Sequence, residues 1–182
     1  MLFADFDTLH NIVPGRHFYQ FYKSADDYLK VIQPFIKCGL KKGHACLWLV
    51  SEKIGVEAVI KALGATVPHL SHLIATKQLV VLPAEEWYLT DGRFDAAKAI
   101  QKALYHYQYS RQLGFRCLRI TGDAGVVSAE DREAVQAYEK KCHEFIHKKA
   151  VIAVCAYPIL ACNLKHTRMV IHSHDDVMAG RL

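Results

Sequence analysis

Side chains that could bind a small molecule stand where the apolar runs of this sequence end. Polar and aromatic residues follow or close four such runs, in segments 51–52, 83–88, 121–123 and 157–158. Aromatic walls with a few polar anchors are the usual composition of a small-molecule pocket. We therefore predict a binding pocket, and its members are Ser51, Glu52, Glu86, Trp87, Tyr88, Arg119, Asp123 and Tyr157.

Several of these residues also have a purely structural interpretation. Tyr157 could be a core residue and Glu86 a solvated one. Arg119 could simply pair with a carboxylate such as Glu86 or Glu139. The Trp-Tyr pair that follows Glu86 favours a binding role, because a loop gives no packing reason to expose two aromatic side chains together.

The N-terminal segment 15–22 supplies further candidates. His17 lies in a predicted loop beside aromatic residues, where an imidazole could donate a hydrogen bond to a ligand or bind a metal ion. A capping or packing role explains this histidine equally well. We add His17, Tyr19 and Tyr22 to the predicted ligand-binding residues.

The spacing of histidine and cysteine residues suggests a metal site as an alternative to the small-molecule pocket. His143 and His147 are four residues apart on a predicted helix, and zinc accepts nitrogen and sulfur ligands. No spacing matches a known zinc module, and eleven histidines produce such coincidences by chance. We predict no metal ion and no cofactor; the alternative metal ligands are Cys155, Cys162, His166 and His172.

Apolar periodicity predicts the elements that would position these side chains. Short apolar runs predict strands at residues 45–50, 78–82, 117–121 and 150–157, with helices between them. Nearly continuous apolar strands fit a sheet that is covered on both faces. The sequence therefore predicts an α/β fold, a three-layer sandwich with a mostly parallel sheet, in which the strand ends share one rim.

Three local expectations follow from single residues. Pro34 should kink or break the helix that begins after Ser24. Ser51 should cap a helix that runs to about residue 63, and residues 85–94 should form a loop. Trp48 should be a core residue, because it lies in the middle of a predicted strand.

Composition narrows the class of protein. A chain of 182 residues without an internal linker predicts one domain over residues 1–182, with a core at about 15–174. The net charge of +5 is spread along the chain, which argues against nucleic acid as a partner. No apolar run is long enough to span a membrane. Six cysteines without a C-x-x-C pair predict free thiols and a cytoplasmic protein.

The alternation of strands and helices is typical of nucleotide-binding folds, yet the phosphate-binding motif G-x-x-x-x-G-K-[ST] is absent. Asp123 could hold Mg²⁺, but Mg²⁺ normally needs phosphates as further partners. Bulky side chains at His17, Tyr19 and Tyr22 would fill a phosphate site. We therefore expect no ATP hydrolysis and no enzyme activity.

Four ordered blocks resemble the MEDS domain, a family of sensory domains. They are Gly15-x-His17 with Phe21-Tyr22, the segment 34–52, the segment 86–95, and the segment 114–122 followed by Tyr138-Glu139 and Cys155-x-Tyr157. The resemblance implies a RecA/KaiC-like fold that lacks the phosphate-binding loop, and a role in sensing small molecules, proposed to be hydrocarbon derivatives. Two departures stand out. We find no kinase or helix-turn-helix segment, and Tyr19 stands where relatives often have cysteine.

Together these observations predict a sensory and signal-transduction module without catalytic activity. A small-molecule ligand would shift segments 85–94 and 17–22, and the altered surface would associate with a signalling protein partner or a second copy. Two alternatives remain open, a residual Mg²⁺-ATP-binding protein and a pure interaction scaffold. The ligand itself is not identified by the sequence.

Overall fold

A computed structural model of the chain describes residues 2–3 and 6–179. Its strands are β1 (Leu2–Phe3), β2 (Arg16–Tyr22), β3 (Ala45–Val50), β4 (Leu79–Pro83), β5 (Leu89–Thr90), β6 (Arg93–Phe94), β7 (Leu118–Asp123), β8 (Val151–Pro158) and β9 (Asp176–Ala179). Its helices are α1 (Phe6–Asn11), α2 (Ala25–Lys41), α3 (Val56–Gly64), α4 (Leu70–Ala75), α5 (Ala84–Tyr88), α6 (Ala96–Gln112), α7 (Arg132–His147) and α8 (Leu164–Ser173).

The main sheet is parallel, with strand order β1-β9-β2-β8-β7-β3-β4 across the described residues. One face packs against α1 to α4, where the core includes Phe35, Trp48 and Val154. The opposite face packs against α5 to α7, where the core includes Leu47 and Tyr138. The predicted three-layer α/β sandwich with a parallel sheet is confirmed, and so is the assignment of Trp48 to the core.

Strand β2 corrects the prediction of a loop at residues 15–22. It pairs with β8 along its whole length, from Arg16 opposite Ile152 to Tyr22 opposite Pro158, and it also pairs with β9. The sequence did not predict this strand, because its polar and aromatic side chains do not form an apolar run like those of the other strands. His17 therefore lies inside the sheet and not in a loop.

Two local expectations were wrong, and of the kink or break expected at Pro34 the break does not occur. Helix α2 continues through Pro34, and Ser24 caps it by accepting a hydrogen bond from the backbone N–H of Asp27. Ser51 does not cap α3; its carbonyl accepts from Ile54 in a turn, and the helix begins after Gly55. The expected loop 85–94 consists mainly of α5 and the antiparallel pair β5–β6.

The remaining predicted strands and the long helices lie close to their expected positions. Asp95 caps α6 by accepting from the backbone N–H of Lys98. Among the described residues, none of the helices has the length and apolar character needed to cross a membrane.

Candidate functional site

The structure places Ser51 and Asp123 at the carboxyl ends of the strands, as predicted, and brings Tyr22 beside them. The Tyr22 hydroxyl donates to Asp123 Oδ1 at 2.8 Å, and the Ser51 hydroxyl donates to Asp123 Oδ2 at 2.5 Å. The backbone N–H of Gly125 also donates to Oδ1, at 2.9 Å. Asp123 is fully buried, so these donors satisfy a carboxylate that water does not reach. Both of its oxygens are engaged within the protein.

The connection between β2 and α2 consists of two residues, Lys23 and Ser24. A phosphate-binding loop needs several backbone N–H groups that surround the phosphates, which two residues cannot supply. The Tyr22 side chain reaches across this edge to Asp123. The fold therefore lacks the phosphate-binding loop, as predicted, although Tyr22 rather than the whole segment 17–22 occupies the space beside Asp123.

Trp87 and Tyr88 were expected to be exposed on a loop, but the structure buries both of them. Their exposure was the reason for assigning them to a pocket, and that reason was wrong. Trp87 and Tyr88 are 3% and 5% exposed and belong to the core beneath α6 and α7. The short helix α5 turns both rings inward, whereas Glu86 points to solvent. Glu52 also lies at the rim, where its backbone N–H donates to the Glu85 carboxylate at 2.9 Å.

Arg119 lies on the other face of the sheet from Trp87 and Tyr88. Its guanidinium donates to the backbone carbonyls of Phe35 at 3.0 Å and Leu9 at 2.7 Å, and it lies over the Phe35 ring. It pairs with neither of the carboxylates suggested by the sequence. The predicted residues therefore do not line one pocket, because Arg119 lies near the start of β7 on the face opposite Trp87 and Tyr88, whereas Asp123 closes that strand.

A second group, in which His17 and Cys155 meet two residues that were not predicted, lies on the face covered by α7. The donor atoms of His17, Glu139, Cys155 and His174 all lie within 4.8 Å of one another, and we call these four residues the buried cluster. Three of them are buried and Cys155 is partly buried. Tyr157 joins the cluster by donating its hydroxyl proton to Glu139 Oε1 at 2.6 Å.

Four elements bring the buried cluster together. His17 on β2 and Cys155 on β8 face the same side, because Tyr19 is opposite Cys155 and His17 lies two residues earlier. Glu139 comes from α7, and His174 comes from the connection between α8 and β9. The Tyr19 ring contacts the His174 ring edge-on at 5.7 Å and covers one side of the cluster.

Burial keeps the cluster close to neutral. Loss of hydration lowers the pKa of His174 to about 4 and lowers the pKa of His17 well below its ordinary value. It raises the pKa of Glu139 to about 7, although the hydrogen bond from Tyr157 opposes this shift. Burial also raises the pKa of the Cys155 thiol. The imidazoles are therefore uncharged at neutral pH and can act as lone-pair donors.

A second, more exposed group lies beside the first and consists of His143, His147 and Asp175. His147 Nε2 is 3.0 Å from Asp175 Oδ1, and the other Asp175 oxygen accepts from the backbone N–H of His17 at 2.7 Å. The rings of His143 and His17 are 5.7 Å apart. His143 thus connects the buried cluster with the surface.

A groove opens between α7 and α8, directly outside His143, and we call it the α7–α8 groove. It has a volume of about 660 Å³, and its lining includes Ala137, His143, Met169 and His172. A second cavity of about 550 Å³ shares Met169 with it and extends it along α8. Concave sites that hold small ligands have volumes of roughly 300–1,000 Å³.

A small internal cavity lies on the inner side of the buried cluster. It has a volume of about 30 Å³, and its lining includes His17, Cys155, Tyr88 and Gly122. Most of the other lining side chains are apolar. Two members of the buried cluster, His17 and Cys155, therefore line a small space in the core, whereas the α7–α8 groove lies outside His143.

Of the alternative metal ligands named from the sequence, only Cys155 belongs to the buried cluster. His172 lines the α7–α8 groove, His166 lines its extension, and Cys162 lies after β8 within bonding distance of the Pro158 carbonyl. Glu139 and His174 were missed as site residues. Both stood in patterns that the sequence showed, Tyr138-Glu139 and His172-x-His174, but no spacing connected them with His17.

Residues 16–175 match the family model for MEDS, described as the MEthanogen/methylotroph, DcmR Sensory domain. Among solved structures, the fold is similar to the flagellar accessory protein FlaH from Methanocaldococcus jannaschii, with a TM-score of 0.64 and 12% sequence identity. That similarity covers 94% of this chain and 74% of the FlaH chain, and at this identity it shows the fold alone. No curated protein sequence matches the chain.

Proposed function

This chain belongs to the MEDS family of sensory domains, and on that basis we propose that it senses a small organic molecule without converting it chemically. The observation that carries the proposal is the α7–α8 groove, which is large enough for such a ligand and has two histidines in its wall. One of them, His143, contacts His17 and so links the groove to the buried cluster.

The groove has the chemical character of a ligand site. Met169 and Ala137 offer apolar surface, while Lys140, His143 and His172 offer polar groups. Flexible methionine side chains adapt to ligands of different shapes. A small molecule with an apolar body and one or two polar groups fits this lining.

The output is a change in the position of α8. Helix α8 packs against α7 and continues through His174 into strand β9 at the sheet. A ligand between the two helices would move α8 relative to α7 and alter the outer surface of both. We propose that a signalling partner or a second copy reads this surface by association.

A groove-filling substitution tests the proposal. Ala137 is exposed and lines the groove, so Ala137→Trp should occupy it without disturbing the core. Ala134 is exposed on the same helix outside the groove lining, and Ala134→Trp is the matched control. The probes are alcohols, amines and halides of one to four carbon atoms. Their binding is measured by the changes that they cause in the NMR chemical shifts of the α7 and α8 backbone amides.

We expect at least one probe to shift groove amides in the wild-type protein and in Ala134→Trp, and not in Ala137→Trp. Equal shifts in both tryptophan variants would contradict the groove as the site. A complete lack of shifts in the wild-type protein across the panel would contradict sensing of this ligand class.

A further inference from the structure

The donor atoms of the buried cluster have separations close to those of metal ligands, and only the His17–Cys155 pair is within hydrogen-bond distance. His17 Nε2 is 3.2 Å from Cys155 Sγ and 3.6 Å from Glu139 Oε2. His174 Nε2 is also 3.6 Å from Glu139 Oε2. A distance of 3.6 Å is too long for a nitrogen–oxygen hydrogen bond.

A tetrahedral zinc ion would account for these separations. Zinc–nitrogen and zinc–oxygen distances near 2.0 Å and zinc–sulfur distances near 2.3 Å place neighbouring ligand atoms about 3.3–3.5 Å apart. The two nitrogen–oxygen distances of 3.6 Å are slightly longer, and the nitrogen–sulfur distance of 3.2 Å slightly shorter, than a bound ion would impose, so binding needs only small side-chain shifts. Four protein donors complete a tetrahedron, which is the arrangement of a closed structural site.

Two of these donor atoms lack another partner. Within the part of the chain that the structure describes, Glu139 Oε2 and His174 Nε2 are buried and form no hydrogen bond. Buried polar atoms are normally satisfied, so two such atoms facing each other at 3.6 Å require an explanation. A cation between them would satisfy both.

Neighbouring groups orient the donors for a metal. His174 Nδ1 is 2.7 Å from the Val170 carbonyl, which can only accept, so Nδ1 carries the proton and Nε2 presents its lone pair. Tyr157 donates to Glu139 Oε1 and leaves Oε2 for the ion. Metal-binding histidines and carboxylates commonly have such outer partners.

We propose that the buried cluster binds one zinc ion, through His17 Nε2, Glu139 Oε2, Cys155 Sγ and His174 Nε2. Two imidazoles, a thiolate and a carboxylate form a donor set that suits zinc. Cys155 binds as the thiolate and Glu139 as the carboxylate, and their protons pass to solvent. This site goes beyond the proposed function, since the groove can bind a small molecule whether or not zinc is present.

The exposed group of His143, His147 and Asp175 is a weaker candidate. Asp175 already accepts from the backbone N–H of His17 and lies 3.5 Å from the Arg16 guanidinium. His147 Nε2 is within direct hydrogen-bond distance of Asp175. These contacts explain the arrangement without an ion, and the group lacks a thiolate.

Metal analysis and cobalt substitution test the site on the full chain. The protein is loaded with zinc, passed through a desalting column and analysed for metal, and a second sample is loaded with Co²⁺. We expect one zinc ion per chain, and for cobalt the intense visible bands of a tetrahedral site with a thiolate charge-transfer band. A metal-free wild-type protein after loading, or an octahedral cobalt spectrum, would overturn the proposal.

Variants identify the ligands. Cys155→Ser changes one atom and should keep the fold, yet it should remove the charge-transfer band and weaken zinc affinity by about 100-fold or more. His174→Ala should weaken it similarly, while His147→Ala and His172→Ala should retain one zinc ion. Loss of zinc in His147→Ala with retention in Cys155→Ser would assign the ion to the exposed group and overturn the proposal.

Discussion

At the scale of single residues, the partners of Asp123 decide what its carboxylate can do. After an apolar strand, its position suits a Mg²⁺ ligand, and the sequence alone allows that role. In the folded protein, Tyr22, Ser51 and the Gly125 backbone donate to its two oxygens. The carboxylate thus joins the ends of β2, β3 and β7.

The bond between Tyr22 and Asp123 can be measured by a double-mutant cycle. Tyr22→Phe should lower the free energy of unfolding by about 2 kcal/mol, because it removes a hydrogen bond to a buried charged group. The same change should cost much less in an Asp123→Ala background. Urea unfolding of the four proteins gives the coupling, and additive effects would show that the bond contributes nothing.

Gly122 is required by the close approach of Tyr88. A Cβ atom added to Gly122 would lie 2.0 Å from the Tyr88 hydroxyl and 3.2 Å from the ring carbon that carries it. Gly122→Ala should therefore cost about 1–3 kcal/mol of stability by overpacking. Adding Tyr88→Phe should recover part of this loss.

Gly64 supplies the control for the Gly122 experiment. It is a helical glycine near the end of α3, and an added Cβ would come no closer than 3.8 Å to the Leu70 side chain. Gly64→Ala should leave stability unchanged or raise it slightly. Thermal unfolding checks both; an equal cost at the two positions would contradict the predicted steric conflict.

The candidate site was only partly predictable from residue types. His17 and Tyr157 were both singled out, and Cys155 was named as an alternative metal ligand. Even His17 and Cys155 are 138 residues apart and meet only through the sheet register. Glu139 and His174 could not be connected with them, because they come from α7 and from the end of α8, which reach this site only by packing on the sheet. Trp87 and Tyr88 were misjudged because a five-residue helix turned them inward.

At the scale of elements, apolar runs located the strands that are covered on both faces. Strand β3 is buried at every position and was predicted from its composition alone. Strand β2 was missed because its polar and aromatic side chains do not form an apolar run. Its place in the sheet is set by pairing with β8, a long-range interaction that local sequence does not encode.

Zinc should stabilise β9, the strand next to the edge strand β1. His174 precedes β9 by two residues, so local opening of β9 would break its bond to the ion. At free zinc 100-fold above the dissociation constant, amide exchange in residues 176–179 should slow by up to about 100-fold. Hydrogen exchange measured by mass spectrometry tests this.

Strand β4, at the opposite edge of the sheet, is the internal reference for that experiment. Its exchange should change little when zinc is added, and Cys155→Ser should abolish the effect at β9. Equal slowing at β9 and β4, or slowing that persists in Cys155→Ser, would contradict a local zinc bridge.

At the scale of the whole molecule, the fold is a parallel α/β sandwich that is similar to FlaH over 94% of this chain. The connection between β2 and α2 consists of Lys23 and Ser24, and Asp123 is engaged by other side chains. The larger of the two groups of metal-type donor atoms among the described residues lies instead on the face covered by α7, in the buried cluster.

Mg²⁺-ATP should not stabilise this protein. With two residues at the loop position and Asp123 satisfied internally, millimolar Mg²⁺-ATP should leave the unfolding temperature unchanged, since only a ligand that binds the native state raises it. Differential scanning calorimetry measures this. A clear increase that Asp123→Asn removes would restore the nucleotide-binding alternative.

Native mass spectrometry of zinc-loaded protein tests the central claim most directly, because it compares the buried cluster with the strand-end carboxylate. The account predicts one bound zinc ion in the wild-type protein and in Asp123→Asn, and none in Cys155→Ser combined with His174→Ala, with circular dichroism confirming that each variant is folded. Retention of zinc by the folded double variant, or its loss from folded Asp123→Asn, would contradict the account.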